Sequence, residues 1–299
     1  MSKSISINRT PLAKPRGFRP AVLLLLPILV AASPTTFAGA QVSISPTRVV
    51  FEGRTRTASV TLINRGNEAS TFRISFEHKR MTEDGQFETV KNPKPGEIFS
   101  DQMIRYSPRQ VVLPPGQAQV VRLLLRKPPN LADGEYRSHM LFREVPEQSS
   151  QSIEQQTGKQ KQMIISIKPV LGISIPVIVR QGKTSAEVQL VKNDLQNISP
   201  DMTKGMLVLK IKRTGNSSVY GDILATYRKN DNDKNGVVVA QVNGIAVYTP
   251  NDTRTLNLPV QAPAGIKLGG GRIDVVYRTS PKDGNKVLAQ GHAEVPAAK

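Results

Sequence analysis

Apolar and polar residues alternate along much of the chain after residue 41, and the longest such run lies near its middle. Apolar side chains there occupy the odd positions: Met163, Ile165, Ile167, Pro169, Leu171, Ile173, Ile175, Val177 and Val179. We call these positions the apolar stripe. A period of two predicts a β-strand with one apolar face. The stripe spans 17 residues, from Met163 to Val179, whereas a typical strand has about five or six, so it is longer than one sheet of a small domain requires.

Shorter alternating segments, separated by turn residues, fill the rest of the chain. They include VSISPTRVVFEG, TASVTLINRGNE, STFRISFEHKRM, GEYRSHMLFREVP and GMLVLKIKRTGNSS. Many short strands at near-regular spacing predict an all-β sandwich or barrel, and no long amphipathic helix is predicted. Hairpin turns are expected at TEDGQF, at Asn243-Gly244 and at Asp283-Gly284.

Two polar segments divide the chain. Residues 147–162 are rich in Gln and Ser and predict a long loop immediately before the apolar stripe. Residues 180–186 are polar and predict a linker between domains. We therefore expect two β-sandwich domains, at residues 41–183 and 184–299.

Residues 1–40 have the features of a secretory signal peptide. The first 20 residues contain five basic and no acidic side chains, an apolar run follows at residues 21–32, and Ala38-Gly39-Ala40 provides a small-residue cleavage site. The apolar run is interrupted by Pro27 and is too short to span a bilayer. We expect cleavage after residue 40, export, and no stable membrane insertion.

Charge and composition exclude several kinds of chemistry. The net charge is +18, and removing the five basic residues of the signal peptide leaves 36 Lys and Arg against 23 acidic residues, or +13. These charges are scattered and form no basic helix or aromatic-interleaved run, so we expect no nucleic-acid partner. Cysteine is absent, and His78, His139 and His292 lack metal-ligand spacing. Because no group of residues has the types and spacing of a catalytic site, we expect neither an enzyme nor a cofactor or metal site.

The segments VSISPTRVVFEG, GEYRSHMLFREVP and GISIPVIVR, with the polar loop between the last two, resemble the periplasmic chaperones of the chaperone–usher pilus pathway. The resemblance covers residues 42–182 in order and continues loosely beyond them. It implies two immunoglobulin-like sandwiches in an L-shaped (boomerang) arrangement. It also implies that the protein binds pilin or fimbrial subunits by donor-strand complementation and delivers them to an outer-membrane usher.

The resemblance also assigns roles to individual residues. Met163, Ile165, Ile167 and Leu171 would insert into the client, whereas residues 173–179 would pack in the chain's own core. Arg48 would anchor the client's C-terminal carboxylate. The family's second anchor is a lysine expected near Ser174 or Pro176, and neither is basic, so Lys168 is a candidate for a displaced anchor. Glu135 and Arg180 would form an interdomain salt bridge, with a third, acidic member left unassigned.

Two hypotheses remain open beside this one. The first is an exported structural or adhesive protein of tandem immunoglobulin-like modules, which would share the strand pattern but would not require Arg48 at its position. The second concerns oligomeric state, because exposed strands of the free protein would also allow a self-capping homodimer.

Overall fold

Two β-sandwiches follow one another along the chain in a computed structural model that describes residues 42–146 and 170–297. The strands of the first are β1 (Val42–Ser45), β2 (Val49–Phe51), β3 (Thr57–Asn64), β4 (Ser70–Glu77), β5 (Lys79–Met81), β6 (Phe87–Thr89), β7 (Ile104–Ser107), β8 (Gln110–Leu113), β9 (Ala118–Leu125), β10 (Gly134–Val145) and β11 (Gly172–Gln181). Those of the second are β12 (Ala186–Gln196), β13 (Lys204–Gly215), β14 (Val219–Arg228), β15 (Val237–Val247), β16 (Thr253–Gln261), β17 (Arg272–Arg278) and β18 (Val287–Glu294).

The first sandwich packs the sheet β1-β3-β9-β7 against the sheet β2-β11-β10-β4-β8. The second packs β12-β13-β16 against β15-β14-β17-β18. Each has its own apolar core, because alternate side chains of facing strands point inward. The burial of β14 alternates without a break along its ten residues, which is the pattern that a half-buried strand requires. The predicted all-β fold with two sandwiches is confirmed.

Helical structure in the described ranges consists of two single 3-10 turns, Asp101–Met103 and Pro281–Asp283. No helix within residues 42–146 and 170–297 has the length and apolar character needed to cross a membrane. The predicted signal peptide, the whole of the predicted loop and the first part of the apolar stripe lie outside these ranges.

The C-terminal half of the apolar stripe packs as predicted. Ile175, Val177 and Val179 are buried in the core of the first sandwich, and Ile173 packs against it. The predicted linker is shorter than residues 180–186, because β11 continues through Gln181 and β12 begins at Ala186.

The hairpin expected at TEDGQF is present, with Thr82 N–H donating to the carbonyl of Gln86 at 2.9 Å between β5 and β6. The hairpin expected at Asn243-Gly244 is wrong. Both residues lie inside β15, where Gly244 has φ +74° and its N–H donates to Asp222 Oδ1 at 3.0 Å across a register shift. Glycine at positive φ forms a β-bulge as readily as a turn.

Candidate functional site

Arg48 lies in the crossing between β1 and β2, where the chain passes from one sheet of the first sandwich to the other. Its guanidinium carbon is 4.7 Å from the ring centroid of Tyr220, which belongs to β14 of the second sandwich. Arg48 Nε and Nη2 are buried and have no hydrogen-bond partner within the described residues. Arg48 as a whole is half-buried. Charged donors that are themselves buried and unused favour an anion within their reach, because desolvation strengthens such a pair.

Strand β11 has an incomplete neighbour on one side. The short strand β2 pairs with it in parallel at Val177–Val179 only, while β10 pairs with it along Gly172–Gln181. In the described part of the chain, residues 172–176 therefore have a strand on one side alone. Pro176, which has no N–H to donate, lies in this segment, as is usual for an edge.

The described ranges contain only some of the residues that, by the resemblance, would contact the client. Leu171 is half-buried just before β11, with its carbonyl accepting from Glu144 N–H at 2.9 Å. Met163, Ile165, Ile167 and Lys168 lie outside the described residues.

Glu135 and Arg180 lie opposite each other in the β10–β11 register, and Arg180 Nε is 3.1 Å from Glu135 Oε2. The Glu135 side chain has no exposed surface. Its Oε2 also accepts from the N–H of Ser218 at 3.0 Å, and Arg180 Nη2 donates to the carbonyl of Ser218 at 3.1 Å. The backbone of Ser218, in the second sandwich, therefore joins this pair. Because this partner is a backbone group, no residue type in the sequence indicates the contact of Ser218 with the pair.

A second group of basic and aromatic residues lies around Tyr248. The Arg137 guanidinium carbon is 4.4 Å from its ring centroid, and Arg137 Nε and Nη1 are buried without a hydrogen-bond partner among the described residues. Burial lowers the pKa of Arg137. Burial and the neighbouring Arg137 charge lower the pKa of His139 to about 3, so this imidazole is neutral near pH 7. None of these three residues was selected from the sequence as a binding residue.

The β5–β6 hairpin of the first sandwich contacts the second one. Asn251 Nδ2 donates to the carbonyl of Met81 at 2.7 Å, and Thr255 N–H donates to the carbonyl of Glu83 at 2.7 Å. Lys210 Nζ is 2.9 Å from Glu83 Oε1. The hairpin forms one side of a cavity of about 280 Å³, whose other walls come from β10, β11, β15 and the start of β16.

Comparison with known proteins gives one family match. Residues 41–181 match the family model described as pili and flagellar-assembly chaperone, PapD N-terminal domain. No curated protein matches the chain by sequence.

Several solved structures resemble the chain at low identity. The CupB2 chaperone of Pseudomonas aeruginosa is 14% identical, with 85% of this chain and 99% of that chain covered and a TM-score of 0.39. The YadV chaperone is 14% identical, with the same coverage and a TM-score of 0.40. A chain of the Salmonella enterica SafA pilin–SafB chaperone complex is 13% identical, with 86% and 97% covered and a TM-score of 0.39.

The family match spans the sandwich that contains Arg48, the open edge of β11 and the Glu135–Arg180 pair. The family is non-enzymatic. The match to the family of pili and flagellar-assembly chaperones is therefore confined to this N-terminal sandwich, and it covers 141 of the 299 residues.

Proposed function

We propose that this protein is a periplasmic chaperone that binds pilin subunits by donor-strand complementation and passes them to an outer-membrane usher. The observation that carries the proposal is the position of Arg48. Arg48 is half-buried and its guanidinium lies on Tyr220, with Nε and Nη2 buried and without a partner among the described residues. A C-terminal carboxylate of a client would accept two parallel charged hydrogen bonds from such a group.

The open edge of β11 supports strand addition beside Arg48. A client strand that pairs with residues 172–176 would end near the point where β2 begins to occupy the edge at Val177. Main-chain hydrogen bonds along an edge supply affinity, and alternate side chains supply specificity. The open edge at residues 172–176 would provide the main-chain hydrogen bonds, and the odd-numbered side chains of the apolar stripe would provide the alternate side chains.

The stripe itself provides the side chains for insertion. Met163, Ile165, Ile167 and Leu171 share the odd face in the sequence. Burying four such side chains contributes about 6–12 kcal/mol, at about 1.5–3 kcal/mol each. Association costs of about 4–15 kcal/mol offset much of this gain, which suits a complex that must later release its client.

The anchor is tested by affinity capture of the tagged mature protein from the periplasm of its native host, with mass spectrometry of the bound proteins. We expect small pilin-like proteins with the wild type and their loss with Arg48→Ala, because truncating one partner of a buried charge pair costs about 2–5 kcal/mol. The control is Arg54→Ala, which removes the same charge from an exposed position of the same sandwich. If pilin-like proteins are still captured with Arg48→Ala, Arg48 is not the anchor, although the chaperone function stands.

Strand insertion is tested by a pair of adjacent substitutions. Ile167→Asp places a charge on the inserted face and is expected to abolish capture, whereas Ser166→Asp places the same charge on the opposite face and is expected to retain it. Equal effects of the two would contradict insertion in this register. If the wild type captures no pilin-like protein from cells shown to express the pilin genes, the tandem structural-module hypothesis is the better account.

Export, usher contact and self-capping are separate parts of the proposal. N-terminal sequencing of periplasmic protein is expected to begin at Gln41, and a retained leader would contradict cleavage. Cross-linking in cells is expected to link the chaperone to an outer-membrane usher only when a client is present. Light scattering that shows a monomer at all working concentrations would exclude the self-capping dimer.

A further inference from the structure

The β5–β6 hairpin of the first sandwich reaches the edge of a sheet in the second one. Strand β16 lies at the end of the sheet β12-β13-β16, so among the described strands only β13 pairs with it. On its other side, the N–H of Thr255 donates to the carbonyl of Glu83, in the hairpin turn, at 2.7 Å. The hairpin therefore covers part of this edge strand through a main-chain hydrogen bond.

Other contacts of the hairpin go to the start of β16 and to the turn before it. Asn251 Nδ2 donates to the carbonyl of Met81 at 2.7 Å. A Cβ added to Gly85 would lie 2.4 Å from Arg254 Nη2, so the hairpin turn packs directly on this guanidinium. Glycine at φ +86° provides both the turn and the close approach.

The ion pair between the hairpin and the second sandwich is the weakest of these contacts. Lys210 Nζ is 2.9 Å from Glu83 Oε1, and the two side chains are 40% and 54% exposed. Exposed ion pairs contribute little to stability, because solvent screens them and two long side chains must be ordered. Main-chain hydrogen bonds and packing therefore hold the hairpin in place.

A small apolar cluster, separate from the cores of the two sandwiches, lies beside the hairpin. Its members are Met81 from β5, Ile178 from β11, Ala246 from β15 and Tyr248 just after β15. Each of them is at most 5% exposed. Both sandwiches contribute side chains to this cluster, so a rotation of one against the other would expose buried apolar surface.

The hairpin joins the second sandwich at a different place from the Glu135–Arg180 pair. That pair contacts the backbone of Ser218, just before β14, whereas the hairpin contacts residues 251–255. Two domains connected by a short linker move relative to each other unless their interface prevents it. One attachment would leave a rotation about that point, and a second attachment on another strand opposes it.

We propose that the β5–β6 hairpin is a clasp that fixes the angle between the two sandwiches, with its turn on the edge of β16 and Met81 in the apolar cluster. The clasp is a property of the free chain. It goes beyond the proposed function and does not depend on a client.

Amide hydrogen exchange of the mature protein, followed by NMR, tests the main-chain contact. Residues 255 and 257 have their N–H groups on the same side of β16, because the direction alternates along a strand. The N–H of Thr255 donates to the hairpin, whereas that of Asn257 has no hairpin carbonyl as a partner among the described residues. Relative to an unstructured chain, we expect Thr255 to be protected at least about tenfold more than Asn257. Equal protection of the two amides would overturn the clasp.

Pulsed electron paramagnetic resonance between two spin labels measures the angle. The chain has no cysteine, so Glu68→Cys in the first sandwich and Lys282→Cys in the second, both exposed, provide the labelling sites. Gly85→Ala is expected to push the hairpin away from Arg254 and to broaden the distance distribution. Its matched control is Gly116→Ala, where φ is also positive, at +72°, but an added Cβ meets nothing within 4 Å. The wild type and this control are expected to give one narrow distribution.

A second variant removes the main-chain hydrogen bond itself. Thr255→Pro has no N–H to donate to the hairpin. Pro259 already lies on the same side of β16, so proline at such a position is compatible with pairing to β13. Asn257→Pro is the control, because it removes an N–H on that side which does not contact the hairpin. We expect broadening with Thr255→Pro and none with Asn257→Pro.

Far-ultraviolet circular dichroism of each variant checks that both sandwiches are folded. If Gly85→Ala and Thr255→Pro fold and keep the narrow distribution of their controls, the clasp is overturned. If only Glu135→Ala broadens the distribution, the Glu135–Arg180 contact sets the angle and the hairpin has no part in it. Broadening by the two hairpin variants, with narrow distributions in both controls, supports the clasp.

Discussion

The buried carboxylate of Glu135 provides the sharpest prediction for stability. Glu135→Ala removes an acceptor that serves Arg180 Nε at 3.1 Å and the N–H of Ser218 at 3.0 Å. The Ser218 N–H is left buried without its partner, which costs about 1–3 kcal/mol. Arg180 loses its buried counter-charge, and breaking a buried pair from one side costs about 3–5 kcal/mol.

For Glu135→Ala, the expected loss in the free energy of unfolding lies toward the lower end of these ranges. Arg180 retains 20% of its side-chain surface in solvent and a second carboxylate, Glu52, at 3.2 Å. We therefore expect Glu135→Ala to lower the free energy of unfolding by about 3 kcal/mol. Glu135→Gln, which keeps the shape and one acceptor, is expected to lose about half as much. Glu52 is 58% exposed, so Glu52→Ala is expected to cost less than about 1 kcal/mol.

Urea unfolding of the mature protein at pH 7, followed by far-ultraviolet circular dichroism, measures these differences. Repeating the series in 1 M NaCl separates the two pairs, because salt screens the exposed Glu52 contact and hardly affects the buried one. The reasoning is refuted if Glu135→Ala is as mild as Glu52→Ala, or if salt removes its effect.

Three further substitutions test other features. His139 has an ordinary pKa of 6.5 when unfolded and about 3 when folded. Between these pH values the unfolded chain binds a proton that the folded chain does not, so the stability present above pH 6.5 is lost as the pH falls toward 3. From pH 6.5 to 5 the wild type should lose about 2 kcal/mol relative to His139→Gln in urea unfolding, and parallel pH curves would contradict this. Gly215→Ala would place its Cβ 2.3 Å from the carbonyl oxygen of Ser185, whereas Gly284→Ala, at nearly the same φ, meets nothing within 4 Å. We expect a larger fall in melting temperature for the first, and equal falls would exclude the backbone clash. Arg213, 2% exposed, donates to three backbone carbonyls, so Arg213→Met should destabilise the protein by about 2–4 kcal/mol, and a neutral result in urea unfolding would refute that role.

The sequence predicted those parts of the structure that depend on neighbours along the chain. Alternation predicted the strands, because the side-chain period of a strand is local, and the polar segment at residues 180–186 predicted the division into two sandwiches. The family resemblance, and not the alternation, implied that the last residues of the apolar stripe, up to Val179, pack in the chain's own core, where they lie.

Features that depend on distant residues were missed. In the sequence, nothing distinguishes Tyr220 and Arg254 from other strand residues. Only the packing of the two sandwiches places Tyr220 against Arg48 and Arg254 in the wall of the cavity. The Asn243-Gly244 dipeptide has strong turn propensity, yet it forms a bulge because Asp222 on β14 accepts the Gly244 N–H. Local propensity cannot report such a cross-strand partner.

The aromatic partners of the half-buried Arg48 and of the buried Arg137 have a consequence for binding. Arg48 and Arg137 lie 4.7 Å and 4.4 Å from the ring centroids of Tyr220 and Tyr248, respectively. A ring face attracts a cation by about 0.5–2 kcal/mol and leaves the N–H donors in the guanidinium plane unused. A carboxylate at the same place would stabilise the cation more strongly, but it would occupy those donors and compete with any anionic ligand. A tyrosine ring therefore stabilises a partly desolvated arginine moderately while leaving its N–H donors able to bind an anion, which is what the proposed client anchor Arg48 requires in the free protein.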